Sequence, residues 1–534
     1  MNSTAKQSYS PSSDDETVGT VARVGKNTLA QITGSAAMVV SKFLIVLVIA
    51  RLAGRELLGD FAFVITFTTM FTFLVDMGLT PSLVREVAKH RDQADKMIGN
   101  ALAIAILNGL WVVPLMVGIV ALLGRPPVML IAVALAGIAT TLETMSSQVN
   151  SVFGGFERME LSATVIIIQE FVFLVVGAIV LAINMPFIGL FVIYIVSRLV
   201  SFGVGTVVYR HTMGTLRLQF DRAYSRQMLR VSAPFIVQMA LAPIYLRIDV
   251  LMLSYFQGSA AVGLYEAATN IFYRFNIFAR MSNRALMPFL TREYLAIGQR
   301  VRRYIRAAAK YHTVLGIPLM VIGLTLADRL IPFLYGNEFA DSVLVFQLLS
   351  SITILRLLNN TLAISLTSTD RQGWRSAIIA LAAVFNIGLN LVILPRYSFR
   401  GAAVTAIFTE IFFGSALYLV LRQRVPHPFN FKQFVRPFLA GLIMAGVIWV
   451  THDAWLPLPF FAGGLAYVIS LLALGTFSAR ELWVLLRATR LHRLLPRPIR
   501  WQLVPQPVEQ SRGQPQHQDD REQQSSRERN STKK

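Results

Sequence analysis

The strongest constraint on this chain is a series of long apolar stretches separated by short polar connections. A transmembrane α-helix needs roughly 20 predominantly apolar residues, and about fourteen stretches between residues 28 and 477 reach that length. No connection is longer than roughly 20 residues, so none can hold an independently folded domain. The pattern predicts an all-α polytopic membrane protein with about fourteen transmembrane helices.

Composition and charge agree with this fold class. Of the 534 residues, 54% are hydrophobic and 15% are charged, whereas soluble domains carry about 25% charged residues. The net charge of +21 would suit a nucleic-acid-binding protein, but the basic residues form short clusters between apolar stretches, as membrane orientation requires. We therefore expect no nucleic-acid partner. The chain has no cysteine, which excludes disulfides and thiolate metal sites.

The loops predict an orientation. Most even-numbered loops are basic, and odd-numbered loops are nearly free of Lys and Arg. The exceptions in the odd-numbered loops are Arg51, Arg55, Arg125, Arg396 and Arg400. Because basic loops stay on the cytoplasmic side, both termini are expected in the cytoplasm and the protein in the inner (plasma) membrane.

The two ends of the chain are polar. Residues 1–26 are expected to form a cytoplasmic segment, and the first 25 contain no apolar core, unlike a cleavable signal peptide. Residues 478–501 predict a basic amphipathic helix that lies in the interface and binds anionic lipids; a solvated basic helix is the alternative. Residues 502–534 are rich in Gln, Ser and Arg and are expected to be disordered.

An internal repeat organises the apolar stretches. The copies are Gly59-Asp60-Phe61-Ala62 with Pro81-Ser82-Leu83-Val84-Arg85-Glu86, and Gly263-Leu264-Tyr265-Glu266-Ala267 with Pro288-Phe289-Leu290-Thr291-Arg292-Glu293. Their offset covers an even number of spans, which predicts parallel repeats around a central cavity, as in transporters. The predicted units are an N-lobe at residues 27–210, a C-lobe at 229–422 and two further spans at 433–477.

The same stretches carry a family resemblance. The motifs are Ala50-Arg51-Leu52, Leu58-Gly59-Asp60-Phe61, Asp76-Met77-Gly78-Leu79, Ile248-Asp249-Val250-Leu251-Met252-Leu253, Val262-Gly263-Leu264-Tyr265-Glu266-Ala267-Ala268 and Gly401-Ala402-Ala403. The chain resembles the polysaccharide flippase branch of the multidrug/oligosaccharidyl-lipid/polysaccharide exporter superfamily. The resemblance implies translocation of a polyprenyl-diphosphate-linked oligosaccharide from the inner to the outer leaflet by alternating access. It implies no enzymatic activity and no cofactor, with H⁺ or Na⁺ coupling left open, and we expect a monomer.

Charged residues inside the predicted spans indicate a binding site, because lipid cannot solvate them. The eighth span carries Glu266, Asn270, Arg274, Arg280 and Arg284 within a narrow sector of a helical projection. Polar residues cluster in the same way in the first and seventh spans, where the candidates are Gln31, Lys42 and Asp249. A cationic lining suits a diphosphate or an acidic sugar. We expect Lys42, Arg274, Arg280 and Arg284 to dominate the site.

Four further charges near mid-membrane predict structural ion pairs. Glu170 is expected to pair with Arg198 in the first lobe, and Arg356 with Glu410 in the second, because opposite charges in neighbouring helices lower each other's cost of burial.

Two other transporters stay open as alternatives. A peptidoglycan-precursor (lipid II) flippase would differ only in its cargo. A cation-coupled multidrug exporter would favour an acidic and aromatic lining over the cationic one expected here. A membrane glycosyltransferase is disfavoured, because the sequence has no large external loop and no recognisable catalytic set.

Overall fold

The computed structural model describes residues 13–183, 186–274, 299–368, 372–423, 425–477 and 481, and within these ranges it contains helices and no strands. Residues Met1–Tyr467 form one compact unit and Val468–Lys534 a second. The predicted interfacial helix and tail lie almost entirely outside the described residues, as does the second Pro-x-Leu-x-Arg-Glu copy. The first helix begins at Ser13, inside the polar segment predicted for residues 1–26.

The helices follow one another along the chain with short connections. The first seven are α1 (Ser13–Met70), α2 (Thr72–Asp76), α3 (Leu79–Lys89), α4 (Ala94–Leu122), α5 (Pro127–Gly155), α6 (Met159–Ala182) and α7 (Phe187–Thr212). The others are α8 (Arg222–Arg274), α9 (Gln299–Thr325), α10 (Ala327–Tyr335), α11 (Ser342–Ser351), α12 (Thr353–Ser368), α13 (Gln372–Arg422), α14 (Lys432–Val450) and α15 (Pro457–Ala473).

The prediction of an all-α polytopic membrane protein is confirmed. Nine segments of the described chain are long and apolar enough to cross a membrane, and α11 with α12 forms one further span bent by 45°. Three of the nine are far longer than one crossing: α1 has 58 residues, α8 has 53 and α13 has 51. A helix of that length extends for more than about 75 Å, whereas the apolar core of a bilayer is about 30 Å thick. Each of these helices therefore holds two crossings, and with the short apolar α15 they account for fourteen.

Each double-length helix is bent at one residue with a left-handed backbone. Gly54 in α1 has φ 77° and ψ −178°, and Gly258 in α8 has φ 79° and ψ −177°. Only glycine adopts this region readily. The corresponding residue in α13 is Ser398, with φ 51° and ψ −141°. The nearly identical bends at Gly54 and Gly258 show that α1 and α8 repeat one local backbone conformation.

The two halves meet where α1 crosses α8, just after these bends. A Cβ atom on Gly59 would overlap the carbonyl oxygen of Ser259, and a Cβ atom on Gly263 would overlap that of Arg55. The contact is reciprocal, as an approximate two-fold axis requires, since the two pairs of positions have the same sequence offset. The Ser259 hydroxyl also donates a hydrogen bond to Asp60. The shared Gly-x-aromatic motif is therefore a close contact between two backbones.

The arginines in the odd-numbered loops tie the same end of the bundle together. Arg51 donates to the carbonyl oxygen of Leu334 at 2.7 Å, and Arg125 to the carbonyl oxygen of Ser254 at 2.8 Å. Arg400 pairs with Asp341 at 3.2 Å. Arg51, Arg125 and Arg400 therefore have specific partners. Their presence in odd-numbered loops is compatible with the predicted orientation.

Packing on either side of the crossing defines the lobes. In the first half, α1 packs on α6, and α5 packs on α3, α4 and α7. In the second half, α13 packs on α8 and α12, and α9 packs on α11, α12 and α14. The second span is interrupted at Met77 and Gly78, both left-handed, where Gly78 approaches the backbone of Ser232 on α8. After this break, α3 packs on α5 of its own lobe and on α8 of the other half.

Adding a methyl group at the crossing should destabilise the protein. We expect Gly263→Ala to lower the free energy of unfolding by about 1–3 kcal/mol, the usual cost of overpacking, because the new Cβ would meet the Arg55 backbone. Thermal unfolding in detergent measures this. Gly203→Ala in α7 is the control: a Cβ there meets nothing within 4 Å, so its midpoint should stay or rise. Equal midpoints for the two variants would contradict the close packing.

Candidate functional site

A central cavity of about 600 Å³ lies between the two halves of the bundle. Its walls come from α1, α5, α6 and α7 on one side and from α8 on the other, with the α2–α3 break at its edge. The charged residues that line it are Lys42, Asp76, Glu143, Glu170, Arg198, Arg247, Glu266 and Arg274. The cavity is therefore lined by both signs of charge, whereas the sequence predicted mainly cations.

The α8 side of the cavity holds a cationic group. Arg247 donates to Glu266 at 2.7 Å and to the Thr66 hydroxyl at 3.3 Å. Arg274, one turn after Asn270, donates to the side-chain oxygen of Asn270. Arg247 and Arg274 on α8 and Lys42 on α1 therefore line the same cavity. Lys42, Glu266 and Arg274 are among the residues that the sequence predicted for the site.

A second pocket of about 250 Å³ adjoins this cationic group. It lies between α1 and α8, where Lys42, Arg247 and Arg274 line both the pocket and the central cavity. Its remaining lining residues are Met38, Val39, Leu246 and Tyr273. The cationic group therefore stands between the central cavity and a mostly apolar recess, which we call the lateral pocket.

The opposite wall of the cavity is centred on Arg198. This side chain is 1% exposed and lies 3.4 Å from Glu143 on α5. The Tyr194 hydroxyl donates to the same carboxylate at 3.0 Å, and the Arg198 guanidinium lies 4.4 Å from the centre of the Tyr194 ring. The predicted pair of Arg198 with Glu170 is wrong, because the face of α7 that carries Arg198 is turned towards α5, and depth in the membrane alone cannot distinguish the two neighbours.

Glu170 lines the cavity without an ion-pair partner in the described chain. One carboxylate oxygen accepts from Gln169 at 3.3 Å, and the other is buried with no hydrogen-bond partner among the described residues. The Nη1 atom of Arg198 likewise has none, whereas its Nε atom faces Glu143 at 3.4 Å. The first-lobe wall thus retains unused hydrogen-bonding capacity.

Asp76 completes this wall next to the break between α2 and α3. Its carboxylate accepts from the backbone N–H of Thr80 at 3.2 Å and from the Gln148 amide at 3.3 Å. A carboxylate near the first N–H groups of a helix is favourable. Asp76 therefore anchors the start of α3 at the edge of the cavity.

The second lobe contains a separate polar cluster. Arg356 lies 3.9 Å from Glu410, the pair that the sequence predicted, and Glu410 also accepts from Asn359 at 2.9 Å. Asp249 accepts a hydrogen bond from Tyr265. Asp249 lines a small pocket of about 30 Å³ with Arg356 and Glu410 and is absent from the lining of the central cavity.

The other predicted site residues have different positions. Gln31 donates to the sulfur of Met159 at 3.2 Å and does not line the central cavity. Asn270 holds Arg274 and donates to the Tyr335 hydroxyl at 3.0 Å. Arg280 and Arg284 lie outside the described residues.

The sequence analysis missed three charged residues of the cavity. Arg247 and Glu143 lie in the seventh and fourth spans, and Asp76 lies at the end of the second. An ionisable residue within a span is a candidate for a functional site by default. Applying this criterion to every span would have identified all three residues.

The comparisons with known proteins agree with this architecture. Residues 24–293, half of the chain, match the family described as "Polysaccharide biosynthesis protein". The chain belongs to this family. Among its relatives is the "Probable low-salt glycan biosynthesis flippase Agl15" of Haloferax volcanii, 24% identical over 208 residues, which are 38% of this chain and 43% of that protein. The "Capsular polysaccharide biosynthesis protein CapF" of Staphylococcus aureus is 19% identical over 69% of this chain and 92% of its own length.

Solved structures with the same fold include two groups of membrane proteins. "Lipid II flippase MurJ, inward closed conformation" matches with a TM-score of 0.70 and 15% identity, over 87% of this chain and all of that chain. The inward-facing conformation of a multidrug resistance MATE family transporter of the MOP superfamily matches with a TM-score of 0.60 and 14% identity, over 74% and 98%. The family member described here therefore has the MOP-superfamily fold.

Removing the carboxylate that faces Arg198 should destabilise the first lobe. Glu143→Gln leaves a buried guanidinium without its ion partner, and we expect the free energy of unfolding to fall by about 3 kcal/mol. Glu157→Gln is a matched control, because Glu157 is 57% exposed and lies 3.7 Å from an exposed Arg91. An exposed pair contributes at most about 1 kcal/mol. Thermal unfolding in detergent compares the two, and indistinguishable midpoints would show that Arg198 does not depend on Glu143.

Proposed function

We propose that this protein is a flippase that moves a polyprenyl-diphosphate-linked oligosaccharide from the inner to the outer leaflet for surface polysaccharide synthesis. Family membership and the MOP fold support a transporter rather than an enzyme. The observation that carries the cargo assignment is the cationic group of Lys42, Arg247 and Arg274 between the central cavity and the lateral pocket. A diphosphate is the part of such a cargo that needs cations.

The arrangement fits a molecule that is half lipid. The polyprenyl chain has to stay in the apolar phase while the head group crosses, so the diphosphate must lie at the border between the two. Lys42, Arg247 and Arg274 occupy such a border, because each lines both spaces. Guanidinium groups bind phosphate oxygens with two parallel hydrogen bonds, which suits Arg247 and Arg274 to this role.

The crossing of α1 and α8 supports an alternating-access mechanism. The residues of α1 and α8 that line the cavity include Lys42 and Arg274, and the crossing at Gly59 and Gly263 lies nearer the odd-numbered loops. With those loops outside, as the charge pattern predicts, the described state is closed to the exterior. Export would then require the crossing to open.

A peptidoglycan precursor would present the same diphosphate to the same residues, so it remains the second candidate. The likeness to the MurJ structure favours it only at the level of the fold. A multidrug exporter of cationic drugs is disfavoured by the cations beside the lateral pocket.

Neutralising Arg274 tests the cargo assignment. A hydrogen bond to a charged group contributes roughly 1.5–3 kcal/mol, so Arg274→Ala should weaken diphosphate binding at least tenfold. In cells whose own copy is deleted, we expect Arg274→Ala to abolish or sharply reduce surface glycan while lipid-linked intermediates accumulate, and Arg274→Lys to retain part of the export.

The matched control for this experiment is Arg91→Ala. Arg91 is 51% exposed, lies 3.7 Å from an exposed Glu157 and does not line the central cavity, so its loss should leave export unchanged. Protein levels in the membrane are measured for every variant. Full export by Arg274→Ala at a normal protein level would overturn the assignment.

A further inference from the structure

We propose that the first-lobe wall of the cavity is a separate subsite for the sugar, and that it selects glycans that carry no carboxylate, namely neutral or amino sugars. We call this surface the acidic wall and define it by Asp76, Glu143, Glu170, Tyr194 and Arg198. The inference rests on the proposed function and adds a specificity to it.

The charges of the cavity are unevenly distributed. Lys42, Arg247 and Arg274 line both the cavity and the lateral pocket, and Arg247 is paired with Glu266 at 2.7 Å, so this side keeps a net positive charge. The acidic wall has three carboxylates and one guanidinium, and none of its residues lines the lateral pocket. The two sides therefore suit different parts of one ligand, a dianion on one side and an uncharged or cationic group on the other.

The order of groups in the cargo matches this uneven distribution. In a polyprenyl-diphosphate glycan the diphosphate lies between the lipid and the first sugar. When the lipid occupies the apolar recess and the diphosphate meets the cationic group, the sugar must point across the cavity. The acidic wall stands on that far side, on α2, α5, α6 and α7.

The acidic wall also has hydrogen-bonding groups that the protein does not use. One oxygen of Glu170 and the Nη1 atom of Arg198 are buried and have no partner in the described chain, while the Nε atom of Arg198 faces Glu143 at 3.4 Å. Glu170 is 2% and Arg198 1% exposed. Buried polar groups are normally satisfied, so such atoms at a cavity point to a ligand or water. A sugar hydroxyl both donates and accepts, and neighbouring hydroxyls would serve the carboxylate and the guanidinium together.

Like charges supply the discrimination. A uronic acid or another acidic sugar would bring its carboxylate beside Glu143 and Glu170. Juxtaposed like charges are a common means of rejecting a wrong ligand. Because Glu143 is paired with Arg198 at 3.4 Å, most of the repulsion comes from Glu170, which has no ion-pair partner in the described chain.

The test compares three probes on the purified full-length protein. They are undecaprenyl diphosphate alone, undecaprenyl diphosphate carrying N-acetylglucosamine, and the same lipid carrying glucuronic acid, with binding measured by native mass spectrometry or intrinsic fluorescence. We expect the neutral glycolipid to bind at least tenfold more tightly than the bare lipid, and the acidic glycolipid no more tightly than the bare lipid. Equal affinities for the neutral and acidic glycolipids, or tighter binding of the acidic one, would overturn the inference.

Two variants separate this inference from the proposed function. Glu170→Gln keeps the size of the side chain and removes its charge, so it should raise the affinity for the acidic glycolipid about fivefold and change that for bare lipid little. Arg274→Ala should weaken all three probes alike, and Glu157→Gln should change none. If the bare lipid does not bind, or binds independently of Arg274, the proposed function fails. If the bare lipid binds through Arg274 and the neutral and acidic glycolipids bind equally well, the proposed function stands and the sugar selection by the acidic wall is wrong. The comparison of the three probes on the wild-type protein remains decisive should Glu170→Gln not fold.

Discussion

The rest of the structure depends on the need to give every charge inside the spans a partner or a cavity. The apolar core of a membrane does not solvate charged side chains. In the described chain, charged side chains inside the spans form ion pairs, line a cavity, or do both. Arg198 with Glu143, Arg247 with Glu266 and Arg356 with Glu410 form pairs across or within helices. The first two pairs also line the central cavity, so the interactions that hold the helices in register are the walls of the candidate site.

Most of the architecture could be predicted from the sequence, because the length and apolarity of a stretch identify a span and the charge of a connection indicates its side of the membrane. The bends at Gly54 and Ser398 lie in connections that the sequence marks as odd-numbered loops, but the sequence did not show that the helix would continue across them. Helical periodicity placed Glu266 and Arg274 on one face of the eighth span but could not say which neighbouring helix that face meets. That is why Arg198 was assigned to Glu170 instead of Glu143, and why Asp249 turned out to belong to the second-lobe cluster.

The mixed lining of the cavity changes the picture of the site that the sequence alone supported. Basic residues were expected to dominate the site, yet four carboxylates line the cavity together with four basic side chains. With the proposed cargo, such a surface would favour one direction of binding, because rotating the cargo by half a turn would place its diphosphate against Glu143 and Glu170. The proposed site would therefore control orientation as well as affinity.

The reciprocal contact at Gly59 and Gly263 has the geometry of an isologous dimer interface, in which the same patch serves both partners. An ancestral chain of half this length, paired with a copy of itself, would have needed one glycine to make both contacts. Duplication and fusion of such a chain would have made the two positions independently mutable while leaving their partners, the backbones of Ser259 and Arg55, in the opposite half. Each half therefore constrains the evolution of the other at this point, although the remainder of the two lobes has diverged into a cavity wall and a closed polar cluster.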